Sequence, residues 1–139
     1  VILKFMIIAV DFDGTLCFSK WPELGEPNRP LIEYLKNYDG ADIVCYLPID
    51  TPFNARKFVK TVHPAMAFFI KYEFWQNYMK ALQKYEIPIY SICSIFRPEQ
   101  VFFRWYGGQY YKVLTRITHF FVQNEQSKAL LATRGIKIM

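Results

Sequence analysis

Cysteine is scarce in this chain: Cys17, Cys45 and Cys93 are the only three, widely spaced and without a C-x-x-C pair. An odd number at such spacing excludes a disulfide framework and a cysteine-rich metal site. Each lies in or beside an apolar run, so all three are expected as reduced core thiols. The two histidines, His63 and His119, are isolated and read as structural. Long apolar runs are missing as well. The longest uncharged ones, such as residues 5–10 and 65–70, fall far short of the roughly 18 to 20 residues of a membrane-spanning helix, so no bilayer crossing is expected. Aspartate is absent after position 50: Asp11, Asp13, Asp39, Asp42 and Asp50 are all five. No internal repeat or low-complexity linker is present. The chain opens with Val1 and not Met, which leads us to expect a piece of something longer.

What is present is ample apolar material. Hydrophobic residues make up 53% of the 139 positions and charged residues 21%, proportions that exclude a disordered tail and fit one globular domain with a single core. A chain of this length buries roughly two-thirds of the surface its unfolded form exposes, enough to fold without disulfides or a structural metal. Seventeen Lys and Arg against twelve Asp and Glu give a net charge of +5, a mild bias toward anionic partners.

Short runs rich in β-branched and aromatic residues recur at 6–10, 43–47, 66–70, 87–92 and 119–122. Their continuous apolarity, without alternation, predicts strands buried on both faces, as in a parallel sheet. Helix-like stretches alternate with them at 30–37, 52–62, 73–85, 108–117 and 125–133. Thr51-Pro52 offers an N-cap followed by proline in the first turn, and Gly135 stands where a left-handed cap costs little. The fold class is therefore α/β: a Rossmann-like, open, mostly parallel sheet with helices on both faces. Ligands of such sheets bind outside the carboxyl ends of the strands, which directs attention to the loops that begin at Asp11, Pro48, Lys71, Cys93 and Gln123.

The first of these loops ends a strand in Asp11-Phe-Asp13-Gly14-Thr15. Two carboxylates two residues apart suit a covalent acyl phosphate and a hard cation, or belong to a plain carboxylate-rich loop. With Trp21-Pro-Glu-Leu-Gly-Glu-Pro-Asn28, residues 7–36 resemble the opening of the haloacid dehalogenase-like phosphohydrolases. That resemblance implies Asp11 as nucleophile, Asp13 as general acid/base, and both as ligands of Mg²⁺, the cofactor of this reading. The family also needs a later Ser or Thr, a Lys and a second acidic group. Thr51 and several lysines can stand for the first two, while no aspartate follows Asp50 and the later glutamates Glu73, Glu86, Glu99 and Glu125 are isolated.

The remaining loops carry Tyr46-Leu-Pro48-Ile-Asp50-Thr51-Pro52, Ile70-Lys71-Tyr72-Glu73-Phe74-Trp75-Gln76-Asn77, Ser94-Ile-Phe-Arg97-Pro98 and Phe121-Val-Gln123-Asn124-Glu125. In this order and spacing they resemble the glycosyltransferases that attach 3-deoxy-D-manno-octulosonic acid (Kdo) to lipid A. The resemblance runs over residues 37–139 and implies part of the N-terminal, acceptor-binding half of a GT-B-type fold. The reaction implied is transfer of Kdo from CMP-Kdo, the donor substrate, to lipid A or its precursor, with no cofactor. It further implies a catalytic role for Glu73, acceptor binding by Asp50, Thr51, Trp75, Asn77 and Arg97, and peripheral attachment to the cytoplasmic face of the bacterial inner membrane. Nucleic acid is not among the expected partners. Read from the residues alone, Glu73 is a carboxylate flanked by Tyr72, Phe74 and Trp75, suited to orienting a hydroxyl if partly desolvated, or else an acid that complements a helix dipole. Gln76 replaces the proline that many members carry.

Residues 96–121 interleave Arg97, Arg104, Lys112 and Arg116 with Phe102, Phe103, Trp105, Tyr106, Tyr110 and Tyr111. Rings at the acyl boundary with cations on phosphates suit an anionic membrane surface; the alternative is that most of these rings are core. The transferase family's own opening carries a general-base glutamate in a small-residue-Gly-Glu motif. Leu24-Gly25-Glu26 echoes it only superficially. The chain thus reads as a hybrid or fragment, 1–36 from one parent and 37–139 from another, sharing one core. It is expected to be inactive without the missing C-terminal CMP-Kdo-binding domain and general base, or to be a phosphohydrolase, or to have no activity at all.

Overall fold

A computed structural model of the protein describes residues 6–9, 29, 30, 33, 37, 47–136 and 138. The chain divides into two compact units, Val1–Ala9 with Pro48–Met139, and Val10–Leu47. Of the second, Arg29, Pro30 and Glu33 are helical, and the Asn37 amide donates to the Glu33 carbonyl at 3.1 Å. Residues 43–46 of the expected second strand, together with Cys17 and Cys45, lie outside the described residues.

The first unit is built on four parallel strands, β1 (Met6–Ala9), β2 (Met66–Ile70), β3 (Ile89–Ser94) and β4 (His119–Val122), laid side by side in chain order. Helix α1 (Pro52–Val62) precedes β2, α2 (Gln76–Lys84) joins β2 to β3, α3 (Gly108–Leu114) joins β3 to β4, and α4 (Glu125–Thr133) follows β4. The architecture is α/β and Rossmann-like. The opening strand is an edge of the described sheet, where it pairs with β2 from Met6 opposite Met66 to Ala9 opposite Phe69.

The two faces of the sheet are buried unequally. Ala67, Phe69, Ile89, Ser91 and Phe120 point into the core. The alternate positions form an aromatic row, Phe68 stacked on Tyr90 at 5.1 Å and Tyr90 against Phe121 at 6.5 Å, which is half-buried and reaches 49% exposure at Phe121. An apolar run without alternation therefore reads here as one packed face and one ring-lined face, because neighbouring rings on adjacent strands shield each other. The helices bury Ala55 and Val59 from α1, Tyr78, Met79, Ala81 and Leu82 from α2, Val113 and Leu114 from α3, and Leu131 from α4. A second aromatic cluster surrounds the buried Phe96, whose ring meets Phe74, Phe102, Phe103 and Phe120 at centroid distances of 5.8 to 6.4 Å. The rings of residues 96–121 thus divide. Phe96 and Phe120 are core and Phe102 and Phe103 half-buried, whereas Tyr106 and Tyr110 are exposed and Trp105 is 94% exposed.

The expected caps are present. Thr51 Oγ1 accepts from the Asn54 amide at 3.2 Å with Pro52 in the first turn. Gly135 has φ +73°, and its amide donates to the Ala132 carbonyl at 2.9 Å. Helix α3 ends at Leu114, three residues short of the periodic pattern, as the Thr115 hydroxyl turns back to the Lys112 carbonyl and the amides of Arg116 and Ile117 make tighter i−3 bonds. Cys93 requires a correction. It sits at φ +59° in a bulge between Ile92, opposite Phe121, and Ser94, opposite Val122. The extra residue turns Ser94 onto the buried side with Ser91, their hydroxyls 2.5 Å apart, and leaves the Cys93 thiol exposed and not in the core.

Candidate functional site

The described residues of the segments at 48–52, 70–77, 94–98 and 121–125 gather around the carboxyl ends of β2, β3 and β4. After β2 the chain turns at Lys71, whose φ of +57° costs a non-glycine residue on the order of 1 to 3 kcal/mol. Two bonds hold it there: its amide donates to the Ile92 carbonyl at 2.9 Å, and its carbonyl accepts from the Ser94 hydroxyl at 3.0 Å. Ser94, a buried polar residue that sequence reasoning did not assign to the site, thus ties the turn after β2 to the bulge in β3, and its hydroxyl is paired with that of the buried Ser91. Gln123 extends the tie to β4, donating from its amide to Ser94 O at 3.1 Å and from Nε2 to Cys93 O at 3.0 Å.

Glu73, Phe74 and Trp75 follow, all half-buried and ahead of α2, whereas the sequence pattern starts that helix at residue 73. The Trp75 indole N–H donates to the Glu73 carboxylate, and the Trp75 ring packs edge-on against Tyr78 at 6.3 Å. Helix α2 starts later than expected because its cap comes from elsewhere. Trp75 provides no side-chain cap, while the Asp50 carboxylate accepts from the backbone amides of Asn77 and Tyr78 at 3.1 to 3.2 Å. Asn77 Nδ2 donates to the Asp50 carbonyl at 2.9 Å, and the Tyr78 hydroxyl donates to Pro48 O at 2.8 Å. Asp50, Thr51, Trp75 and Asn77 are therefore brought together with Glu73. Of these, Asp50, Thr51 and Asn77 spend polar atoms on joining the two loops and starting the two helices.

Arg97 lies on the loop after β3 with an exposed side chain, its amide held by Gln100 Oε1 at 3.1 Å. With Tyr72, Glu99 and Gln100 it lines a shallow, open depression of about 520 Å³ at the same edge. Tyr72 was read only as a neighbour of Glu73, and Glu99 and Gln100 carried no motif, since a wall made of a ring and two flexible polar side chains has no fixed spacing in sequence. The loop itself is anchored from α4: Ser127 Oγ accepts from the Phe96 amide at 2.7 Å, and Asn124 caps that helix by accepting from the Ser127 amide at 2.8 Å. Asp11 and Asp13, and with them the Mg²⁺ reading, lie outside the described residues. Among the described residues no group of three or more His, Cys, Asp or Glu side chains is placed to hold a metal ion.

A parallel α/β sheet with a carboxylate–indole pair and an open, polar depression at its carboxyl edge is the layout of a Rossmann-like ligand-binding domain, and here of a glycosyltransferase domain. A family model described as 3-deoxy-D-manno-octulosonic-acid transferase (kdotransferase) matches residues 30–138, more than three-quarters of the chain. The chain belongs to this Kdo transferase family. The match starts at Pro30, inside the segment whose opening motif resembles a phosphohydrolase. No solved structure matches the chain significantly.

Proposed function

We propose that this chain supplies part of the acceptor-binding half of an enzyme that transfers Kdo from CMP-Kdo to lipid A or its precursor. Glu73 carries the reading: a half-buried carboxylate, held by the Trp75 indole at the carboxyl edge of a parallel sheet, in a member of the Kdo transferase family. In this role the carboxylate accepts a hydrogen bond from the acceptor sugar hydroxyl and fixes its direction, while Arg97 at the neighbouring depression meets a phosphate of the acceptor. In this reading no cofactor is involved, and the donor-binding domain and general base are supplied from outside the described unit. The exposed Arg104, Trp105, Tyr106 and Tyr110 rest on the anionic membrane that holds the acceptor, rings at the headgroup level and the guanidinium on lipid phosphate. The attachment proposed is peripheral. No helix among the described residues is long and apolar enough to cross a membrane.

The test is binding of a tetra-acylated, bis-phosphorylated glucosamine disaccharide in detergent micelles. Saturable binding is expected, weakened roughly tenfold or more by Glu73→Gln through loss of a charge-assisted hydrogen bond. Absence of binding, or equal binding by Glu73→Gln, overturns the reading. Association with anionic vesicles should fall with added salt and with Arg104→Ala or Trp105→Ala.

A further inference from the structure

We propose that Asp50 is a positioning residue, which holds the Glu73–Trp75 segment in place by capping α2 across the fold and does not itself touch the acceptor. The inference rests on the acceptor-site reading of Glu73 only for its functional consequence. Its structural basis is independent. Helix α2 has no acidic residue in its first turn and no cap from its own N-cap residue, so its leading amides need an acceptor from elsewhere. Asp50, 27 residues earlier than Asn77, meets that need with both carboxylate oxygens: Oδ1 accepts from the Asn77 and Tyr78 amides, and Oδ2 from the Asn77 amide. The negative charge lies at the positive end of the helix dipole, where it is most favourable. Two reciprocal bonds lock the arrangement, Asn77 Nδ2 to the Asp50 carbonyl and the Tyr78 hydroxyl to the Pro48 carbonyl.

The geometry has a direct effect on Glu73. The stretch from β2 to α2 is pinned at its start by the two bonds on Lys71 and at its end by the Asp50 cap. Only residues 72–76 bridge the two anchors. Within them the Phe74 amide closes back on the Tyr72 carbonyl at 2.7 Å, and the Phe74 ring packs on Phe96 and Phe102. With both ends fixed, Glu73 and Trp75 have little freedom left, as a preorganised contact to a ligand requires. Because both oxygens of Asp50 are engaged with α2, the residue acts through the segment it holds.

Asparagine caps a helix about as well as aspartate, whereas alanine does not, so the two substitutions separate positioning from contact. In the full chain, Asp50→Ala should speed hydrogen exchange at the Asn77 and Tyr78 amides by roughly fivefold to tenfold and weaken binding of the disaccharide probe by a similar factor. Asp50→Asn should restore both to within about twofold. Tyr78→Phe, which keeps the ring and removes the hydroxyl bond to Pro48, gives a milder loss in the same direction and serves if Asp50→Ala does not fold. Unchanged exchange at Asn77 and Tyr78 in Asp50→Ala overturns the proposal. So does an Asp50→Asn variant that keeps its amides protected yet binds the probe as poorly as Asp50→Ala, for then the carboxylate charge itself meets the acceptor. If Glu73→Gln leaves probe binding unaltered, the acceptor reading falls, and the exchange results still decide the capping role.

Discussion

Gly107 offers the sharpest single test of the loop that presents the exposed rings. It is buried at the start of α3, and its φ of −84° is open to any residue, so conformational freedom is not the reason for a glycine there. Space is the reason. A Cβ at this position would lie 1.7 Å from the Val101 carbonyl oxygen, 2.8 Å from the carbonyl carbon and 3.2 Å from the Arg104 carbonyl oxygen. All three are backbone atoms of the 3₁₀ turn Val101–Phe103 and its cap, and none can move by a side-chain rotation. Overpacking commonly costs about 1 to 3 kcal/mol, and a clash with main chain on this scale belongs at or above the upper end. Gly107→Ala should therefore lower stability by about 3 kcal/mol, which at roughly 3 to 5 °C per kcal/mol for a domain of this size lowers Tm by about 9 to 15 °C. Gly108 is the internal control. Nothing lies within 4 Å of a Cβ there, and it is the first residue of α3, so Gly108→Ala should leave Tm unchanged or raise it slightly. Thermal unfolding followed by circular dichroism reads both variants. Equal melting of Gly107→Ala and the parent, or an equal loss in Gly108→Ala, would refute the proposed contact of the turn with the start of α3.

Two further outcomes follow from the core. Phe96→Ala removes a ring that is 1% exposed and packed among four others, and should cost about 3 to 5 kcal/mol in urea unfolding; a loss below about 1 kcal/mol would mean the cluster does not hold the loop after β3. Ser127→Ala leaves the Phe96 amide without its acceptor in a buried setting and should cost about 1 to 3 kcal/mol, which full stability of the variant would contradict.

Much of the fold was legible in the residues themselves. Alternating strand-like and helix-like periods led to a parallel α/β sheet, and the Thr51-Pro52 and Gly135 signals were realised because each acts over only a few residues of chain. Helix α2 was placed three residues early for a related reason. Glu73 is a good first-turn acid on local grounds, and the residue that in fact starts the helix, Asp50, lies far outside any local window. Cys93 was misjudged because apolar neighbours predict burial only while strict alternation holds, and a bulge at that residue reverses which side it faces.

The candidate site divides along the same line. Motif order alone placed Asp50, Thr51, Glu73, Trp75, Asn77 and Arg97 at strand ends and pointed to the Kdo transferase family, since residue types in a fixed order carry that information without coordinates. Which of these side chains spend polar atoms on holding the structure was decided only when β2, β3 and β4 came together. Hydrogen bonds between Asp50 and α2, Ser94 and Lys71, Gln123 and Cys93, and Ser127 and Phe96 join segments 23 to 31 residues apart. Such pairings exist because a parallel sheet brings all its strand ends to one edge, a consequence of topology that no stretch of sequence contains.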